Sequence, residues 1–334
     1  MIVSWVLLGS IPFAGFARGD EDGAWPRYNP SHRRDNGTMM RLIRPLTRPI
    51  ESSVLQVHSD GKPVALATVV SEDGYCLTKR SELSGDPIRV RLPDDRLFPA
   101  RVAAVDREND LALLHIDAKE IELAAVEFTD MTPPVGGFLI SAGHRGRPIG
   151  IGVVGVRPRP IGHTGRLGVI LAGSDTGGAL VRGVFPGSGA EQAGIQQRDR
   201  IVAINGKEQS DRATVMSTLH GMYPGEVVRL TIEREGGELA VDAEMRDMSL
   251  LQESPNDAKV NGRRNERLSG FEEAIQHDTV LAPEECGGPL LDSAGRVIGI
   301  NIARAGRIVS YALPASVVRA ELVELLEEAR ATAR

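Results

Sequence analysis

Pro283 to Leu290 reads Pro-Glu-Glu-Cys-Gly-Gly-Pro-Leu. A nucleophilic side chain followed by two glycines suits a tight turn whose backbone N–H groups can converge on an oxyanion. Hydrolysis by such a group needs four parts: the nucleophile, a base that takes its proton, a group that orients the base, and the oxyanion donors. Cys286 supplies the first only as a thiolate, so its pKa of about 8.5 must be lowered by a neighbouring cation or imidazole. Its neighbours are instead Glu284 and Glu285, and like charge pushes a thiol upward. Among the histidines, His277 is the one close to Cys286 along the chain. It precedes Asp278 on an apolar lead-in and reads as a wall residue, not a base.

Such a loop has to be held by other elements. With 334 residues there is room for two or three compact domains. Aromatics make up 4%, with 37 glycines and 20 prolines, a balance that suits small β-barrels with many turns. From Ser52 onward short β-type runs follow one another: Val54 to Val57, Ala65 to Val70, Tyr75 to Thr78 after an Asp73-Gly74 turn, and Leu111 to Ile116. Two more open at Val135 and Ile149, and residues 316–326 have helical spacing. The net charge of −6 argues against a nucleic-acid partner. Cys76 and Cys286 have none of the spacings of a zinc site or disulfide framework, and nothing asks for a metal or cofactor.

Taken in order, these segments resemble the Deg/HtrA family of trypsin-like proteases. The family's loop reads roughly N-P-G-N-S-G-G-P-L, then V-I-G-I-N and F-A-I-P. Here the same run is Pro283 to Leu290, Val297-Ile298-Gly299-Ile300-Asn301 and Tyr311-Ala312-Leu313-Pro314. The resemblance implies a mostly β fold, a trypsin-like double β-barrel, with Cys286 at the serine position and Glu284 replacing the glycine that shapes the oxyanion hole. Where the family has G-Y-I-L-T followed by N-N-H-V-V, this chain has Gly74 to Thr78 and then Lys79-Arg80-Ser81-Glu82-Leu83. Ser81 therefore stands at the histidine position. The landmark D-x-x-x-D-[IL]-A-[VL]-L is intact as Asp106 to Leu114, which places Asp110 at the triad aspartate. A hydroxyl at Ser81 is no base near neutral pH. The expectation is a pseudoprotease, a catalytically degenerate homologue. The alternative is an active endopeptidase of envelope protein quality control that uses Cys286.

A second resemblance lies inside the first. Gly165 to Val169, Val184 to Ile195, Asp199 to Lys207 and Tyr223 to Glu226 resemble a bacterial PDZ domain. Because it precedes the nucleophile loop, it is expected as an insertion (α+β) in the second barrel. The layout is then a signal-like segment at 1–17, a linker at 18–50 and a first barrel at 51–127. A second barrel follows, made of 128–162 and 269–330 with its closing helix, interrupted by a PDZ domain at 163–247 and a polar loop at 248–268. The resemblance implies binding of C-terminal or extended peptide segments of other proteins, added as a strand. Arg166, Leu167, Gly168 and Val169 would form the carboxylate loop, and Val215 and Leu219 the groove face of a helix. It also implies a homo-oligomer. The apolar run Ile2 to Leu8 points to export, to the periplasm or cell envelope. From Arg27 to Arg48 there are arginines at 27, 33, 34, 41, 44 and 48 against Asp35 alone. That composition fits a solvated tether, and also a peripheral or anchored membrane contact through 1–48.

Overall fold

A computed structural model describes residues 33–117 and 121–332. The signal-like segment 1–17, and 18–32 of the expected linker, lie outside the described residues.

The first sheet is built from β1 (Val54–Ser59), β2 (Lys62–Val69), β3 (Tyr75–Lys79), β4 (Ile88–Arg91), β5 (Leu97–Asp106) and β6 (Leu111–Ile116). It closes on itself in the order β1-β2-β3-β6-β5-β4. β3 and β6 are buried along nearly their whole length, and β2 from Ala65 onward, which explains their mostly apolar composition. Closure leaves no strand edge open.

The second barrel begins with β7 (Phe138–Ala142) and β8 (Pro148–Ile161). The chain then leaves it for a separate sheet. That unit contains β9 (Gly165–Arg166), β10 (Val169–Gly173), β11 (Ala179–Val184), the short α2 (Gly189–Gln192), β12 (Arg200–Ile204), β13 (Lys207–Glu208), α3 (Arg212–His220), β14 (Val227–Arg234), β15 (Gly237–Glu244) and β16 (Arg246–Asp247). It has its own apolar core around Ile201, Val215, Leu230 and Ile232. After α4 (Met248–Leu251) and α5 (Pro255–Asn261) the chain returns as β17 (Phe271–His277), β18 (Pro289–Asp292), β19 (Val297–Gly306) and β20 (Val309–Pro314), and ends in α6 (Ala315–Thr332). β17 pairs with both β20 and β8, closing the order β17-β20-β19-β18-β7-β8. The fold is a double β-barrel with an inserted PDZ-type unit. No helix among the described residues is long and apolar enough to cross a membrane.

Two expectations need correction. The described part of the 18–50 segment is no linker: Gly37–Thr47 is a helix, called α1 from here, capped by Asn36, whose side chain accepts from the Thr38 and Met39 N–H groups. Its inner face, Met40, Ile43 and Leu46, packs with Val126, Ile140, Leu291 and Val297 of the second barrel. Thr47 Oγ1 donates to Gly146 O at 2.6 Å. Pro45 and the arginines masked this 3–4 spacing in the sequence. Nor is 248–268 simply a polar loop. It contains α4 and α5, and its end carries Asn265 and Arg267, both 0% exposed, into the space between the barrels.

Candidate functional site

The three triad-equivalent positions approach one cleft, and each is already occupied. Asp110 sits after the β5–β6 turn at φ +61° and is fully buried. Its Oδ1 accepts the Ser81 N–H at 2.9 Å, and its Oδ2 accepts Ser81 Oγ at 2.8 Å. The ammonium of Lys79, also fully buried, donates to the same Oδ2 and to Arg267 O at 3.2 Å. A buried lysine thus takes the carboxylate that would otherwise steady a protonated imidazole.

Cys286 lies across the cleft, fully buried. Its Sγ donates to Asn265 Oδ1 at 3.2 Å. The Asn265 amide is itself tied down, donating to Glu82 Oε1 at 2.7 Å and Pro283 O at 3.2 Å while accepting the Arg304 N–H at 2.7 Å. Burial pushes the Cys286 thiol up to about 12, with Glu82 and Glu285 adding to the rise and Lys79 opposing it. Such a thiol is held in its protonated form near neutral pH, whereas the thiolate is the attacking form.

The N–H group at the nucleophile position is also turned inward. Pro283–Glu285 form a 3-10 turn in which the Cys286 N–H donates to Pro283 O at 3.1 Å and the Glu285 N–H to Ala282 O at 3.0 Å. Glu284 is half-buried: one carboxylate oxygen lies 3.3 Å from Arg263, and the other, Oε2, is buried without a hydrogen-bond partner. The glycines serve docking: Gly287 has φ +92°, and a Cβ there would lie 2.0 Å from Leu66 O of the first barrel.

No imidazole replaces the missing base among the described residues. His277 Nδ1 is 2.9 Å from Thr279 Oγ1, and burial lowers its pKa to about 4. His144 contacts Leu92 O, His115 stacks on Tyr75, and His163 on Tyr223.

Arg267 joins the cleft to the inserted domain. Its guanidinium donates to the carbonyls of Ser269 (2.9 Å), Arg107 (2.5 Å), Glu108 and Gly270, and lies 4.4 Å over the Tyr223 ring. From the same turn Glu226 accepts two bonds from Arg107, at 2.6 and 2.9 Å. A Cβ on Gly225 would lie 3.2 Å from Ser81 Cβ. The inserted domain is seated directly against the histidine-equivalent position. No sequence signal marked Asn265 or Arg267, because their role depends on where the return segment passes.

The other concave site lies between β10 and α3. A cavity of about 280 Å³ is lined by Arg166, Leu167, Gly168, Val169 and Leu219, as the sequence suggested, together with Arg212, Met216 and His220. The N–H groups of Leu167 and Gly168 meet no backbone carbonyl. Val215 does not belong to the groove; it is fully buried in the domain core. The groove face of α3 is the 212, 216, 219 and 220 row, whose polar members hid the spacing. Gly168 is required by the backbone itself, since it has φ +88° and a Cβ would lie 2.1 Å from Ser188 Cβ.

Several known proteins and one family model match parts of the chain. A family model described as PDZ domain matches residues 149–245. Proteins named probable periplasmic serine endoprotease DegP-like are among the relatives. That of Chlamydia trachomatis is 45% identical over 64 residues, 19% of this chain and 13% of the relative. That of Marinomonas sp. is 26% identical over 324 residues, 71% of this chain and 67% of the relative. For the C. muridarum relative, 25% identical over 254 residues, the shares are 50% and 51%, so the chain spans about half or less of the two Chlamydia relatives and about two thirds of the Marinomonas one. A crystal structure of Rv3671c from M. tuberculosis H37Rv, in an inactive mutant form, superposes with TM-score 0.42 and 13% identity over 87% of this chain and 93% of that one. The chain is a Deg/HtrA-like protease homologue carrying a PDZ domain.

Proposed function

We propose that the chain is catalytically degenerate and recognises polypeptides through its PDZ groove, as an adaptor, scaffold or chaperone-like subunit of the periplasm or cell envelope. The observation that carries this reading is the commitment of Asp110: both its oxygens are engaged by Lys79 and Ser81, with no imidazole bonded to it or to Cys286. A thiol raised to about 12, without a base and with its own N–H turned inward, lacks three of the four parts hydrolysis requires. Location rests on the relatives' names and on the apolar run Ile2 to Leu8.

Incubation with fluorescent casein is expected to give no cleavage above the buffer rate, for the natural chain and for Cys286→Ala alike. Cleavage that Cys286→Ala abolishes overturns the degenerate reading and restores the active endopeptidase.

The groove supplies the remaining activity. An extended peptide can pair along β10, with its terminal carboxylate on the N–H groups of Leu167 and Gly168. For a free-acid peptide selected from a C-terminal library, amidation is expected to weaken binding at least about tenfold, since a carboxylate bonded to N–H groups is worth roughly 1.5–3 kcal/mol. Arg166→Ala should cost no more than about 1 kcal/mol and reduce the salt dependence, as the arginine is only partly buried. Equal binding of acid and amide, read by calorimetry, removes the carboxylate loop from the account.

A further inference from the structure

We propose, on the basis of the groove's peptide-binding role, that it selects C-terminal peptides with aspartate or glutamate as the third residue from the end, and that Arg212 makes the selection. α3 begins at the far end of the groove, where Arg212 Nε donates to Leu171 O at 2.9 Å. It ends near the carboxylate loop, since a Cβ on Gly165 would lie 2.3 Å from Met222 O. A peptide whose carboxylate sits on the Leu167 and Gly168 N–H groups therefore runs antiparallel to β10, toward Arg212. Leu171 lies two residues beyond Val169, where β10 begins, so it stands opposite the third residue from the peptide's end. In an extended strand the last and third side chains share one face. The last enters the apolar floor of Leu167, Met216, Leu219 and Met245. The third meets Arg212.

Three observations set the charge. Arg212 is exposed and has no acid partner among the described residues; Asp211 beside it is engaged as the helix cap, accepting the Thr214 N–H at 2.8 Å. The groove lining carries Arg166, Arg212 and His220 and no acidic side chain. Finally, β10 is the edge of its sheet, and the Arg212 bond spans the groove to occupy a carbonyl that an added strand needs. A carboxylate on the peptide draws the guanidinium off Leu171 O, and a peptide N–H can take its place. A neutral side chain leaves the arginine across the path, and a cationic one adds repulsion.

The test selects peptides on the full chain from a random library with free carboxyl ends. The selected peptides are then remade with glutamine or lysine at the third position and, separately, with amidated ends. Aspartate or glutamate is expected at that position. Glutamine there should weaken binding about fivefold, the upper end for an ion pair in contact with water, and lysine more. The glutamine effect should vanish on Arg212→Gln and persist in Arg212→Lys, and Arg212→Glu should come to favour lysine. Selected peptides without an acid at that position, or an acid preference that survives Arg212→Gln, overturn the proposal; if amidation still weakens binding, the groove's peptide-binding role stands. Equal binding of acids and amides, or a library that yields no binder, overturns that role and the preference with it.

Discussion

Replacement of Asp110 by alanine is expected to cost about 3–5 kcal/mol of folding stability, the loss typical when one member of a fully buried ion pair is removed. The carboxylate and the Lys79 ammonium are both 0% exposed, so alanine leaves a cation in the interior whose remaining acceptor is Arg267 O at 3.2 Å. It also orphans the Ser81 N–H, held by Asp110 Oδ1 at 2.9 Å. Were Asp110 only a remnant of catalysis, its loss would change stability by no more than about 0.5 kcal/mol. A double-mutant cycle separates the two. Asp110→Asn keeps a residue type that tolerates φ +61°, and Lys79→Met keeps the stem of the lysine without its charge. The double variant should be more stable than the sum of the singles by about 1–3 kcal/mol, in urea unfolding followed by far-UV circular dichroism. A coupling near zero would mean that Lys79 is not the counter-ion, and would reopen the question of what base Asp110 could orient.

The same pair explains why part of the site was legible in the sequence and part was not. The positions of Ser81, Asp110 and Cys286 follow from motifs that are contiguous in the chain, so a serine is legible where the resemblance implies a histidine. The barrels were legible for the same reason: buried strands such as β3 and β6 are mostly apolar runs. What fills the cleft was not legible, because Asn265 and Arg267 reach it only through the return path after the inserted domain. Nothing in the run Asn261 to Ser269 distinguishes a buried arginine from a solvated one until four backbone carbonyls surround its guanidinium. On α3 the apolar pair Val215 and Leu219 drew the eye, yet the first is core and the groove belongs to Arg212, Met216, Leu219 and His220.

Lowering the pH from 6.5 to 4 is expected to cost the native chain about 3 kcal/mol through His277 alone. The imidazole is 1% exposed and burial lowers its pKa from 6.5 to about 4 in the folded state, with Asp278 opposing the shift. The sign follows from proton uptake. Above pH 6.5 the ring is neutral in both states, so the stability is complete. Between 6.5 and 4 the unfolded chain binds a proton that the folded chain refuses, and stability falls by about 1.4 kcal/mol per pH unit. Below 4 both states are protonated and this loss stops growing. Carboxylates held low by arginine partners, among them Asp199 and Asp292, add their own loss at more acid pH, so the measurement must be a difference. His277→Gln can still meet Thr279 Oγ1 but does not titrate; the gap in unfolding free energy between it and the natural chain should change by about 3 kcal/mol across this window. A gap independent of pH would mean that the ring is hydrated or charged, and hence open to the role of base that its seat beside Thr279 denies it. A shrinking gap identifies His277 as a neutral wall of the second barrel, too weak a base at pH 7 to deprotonate a thiol raised to about 12.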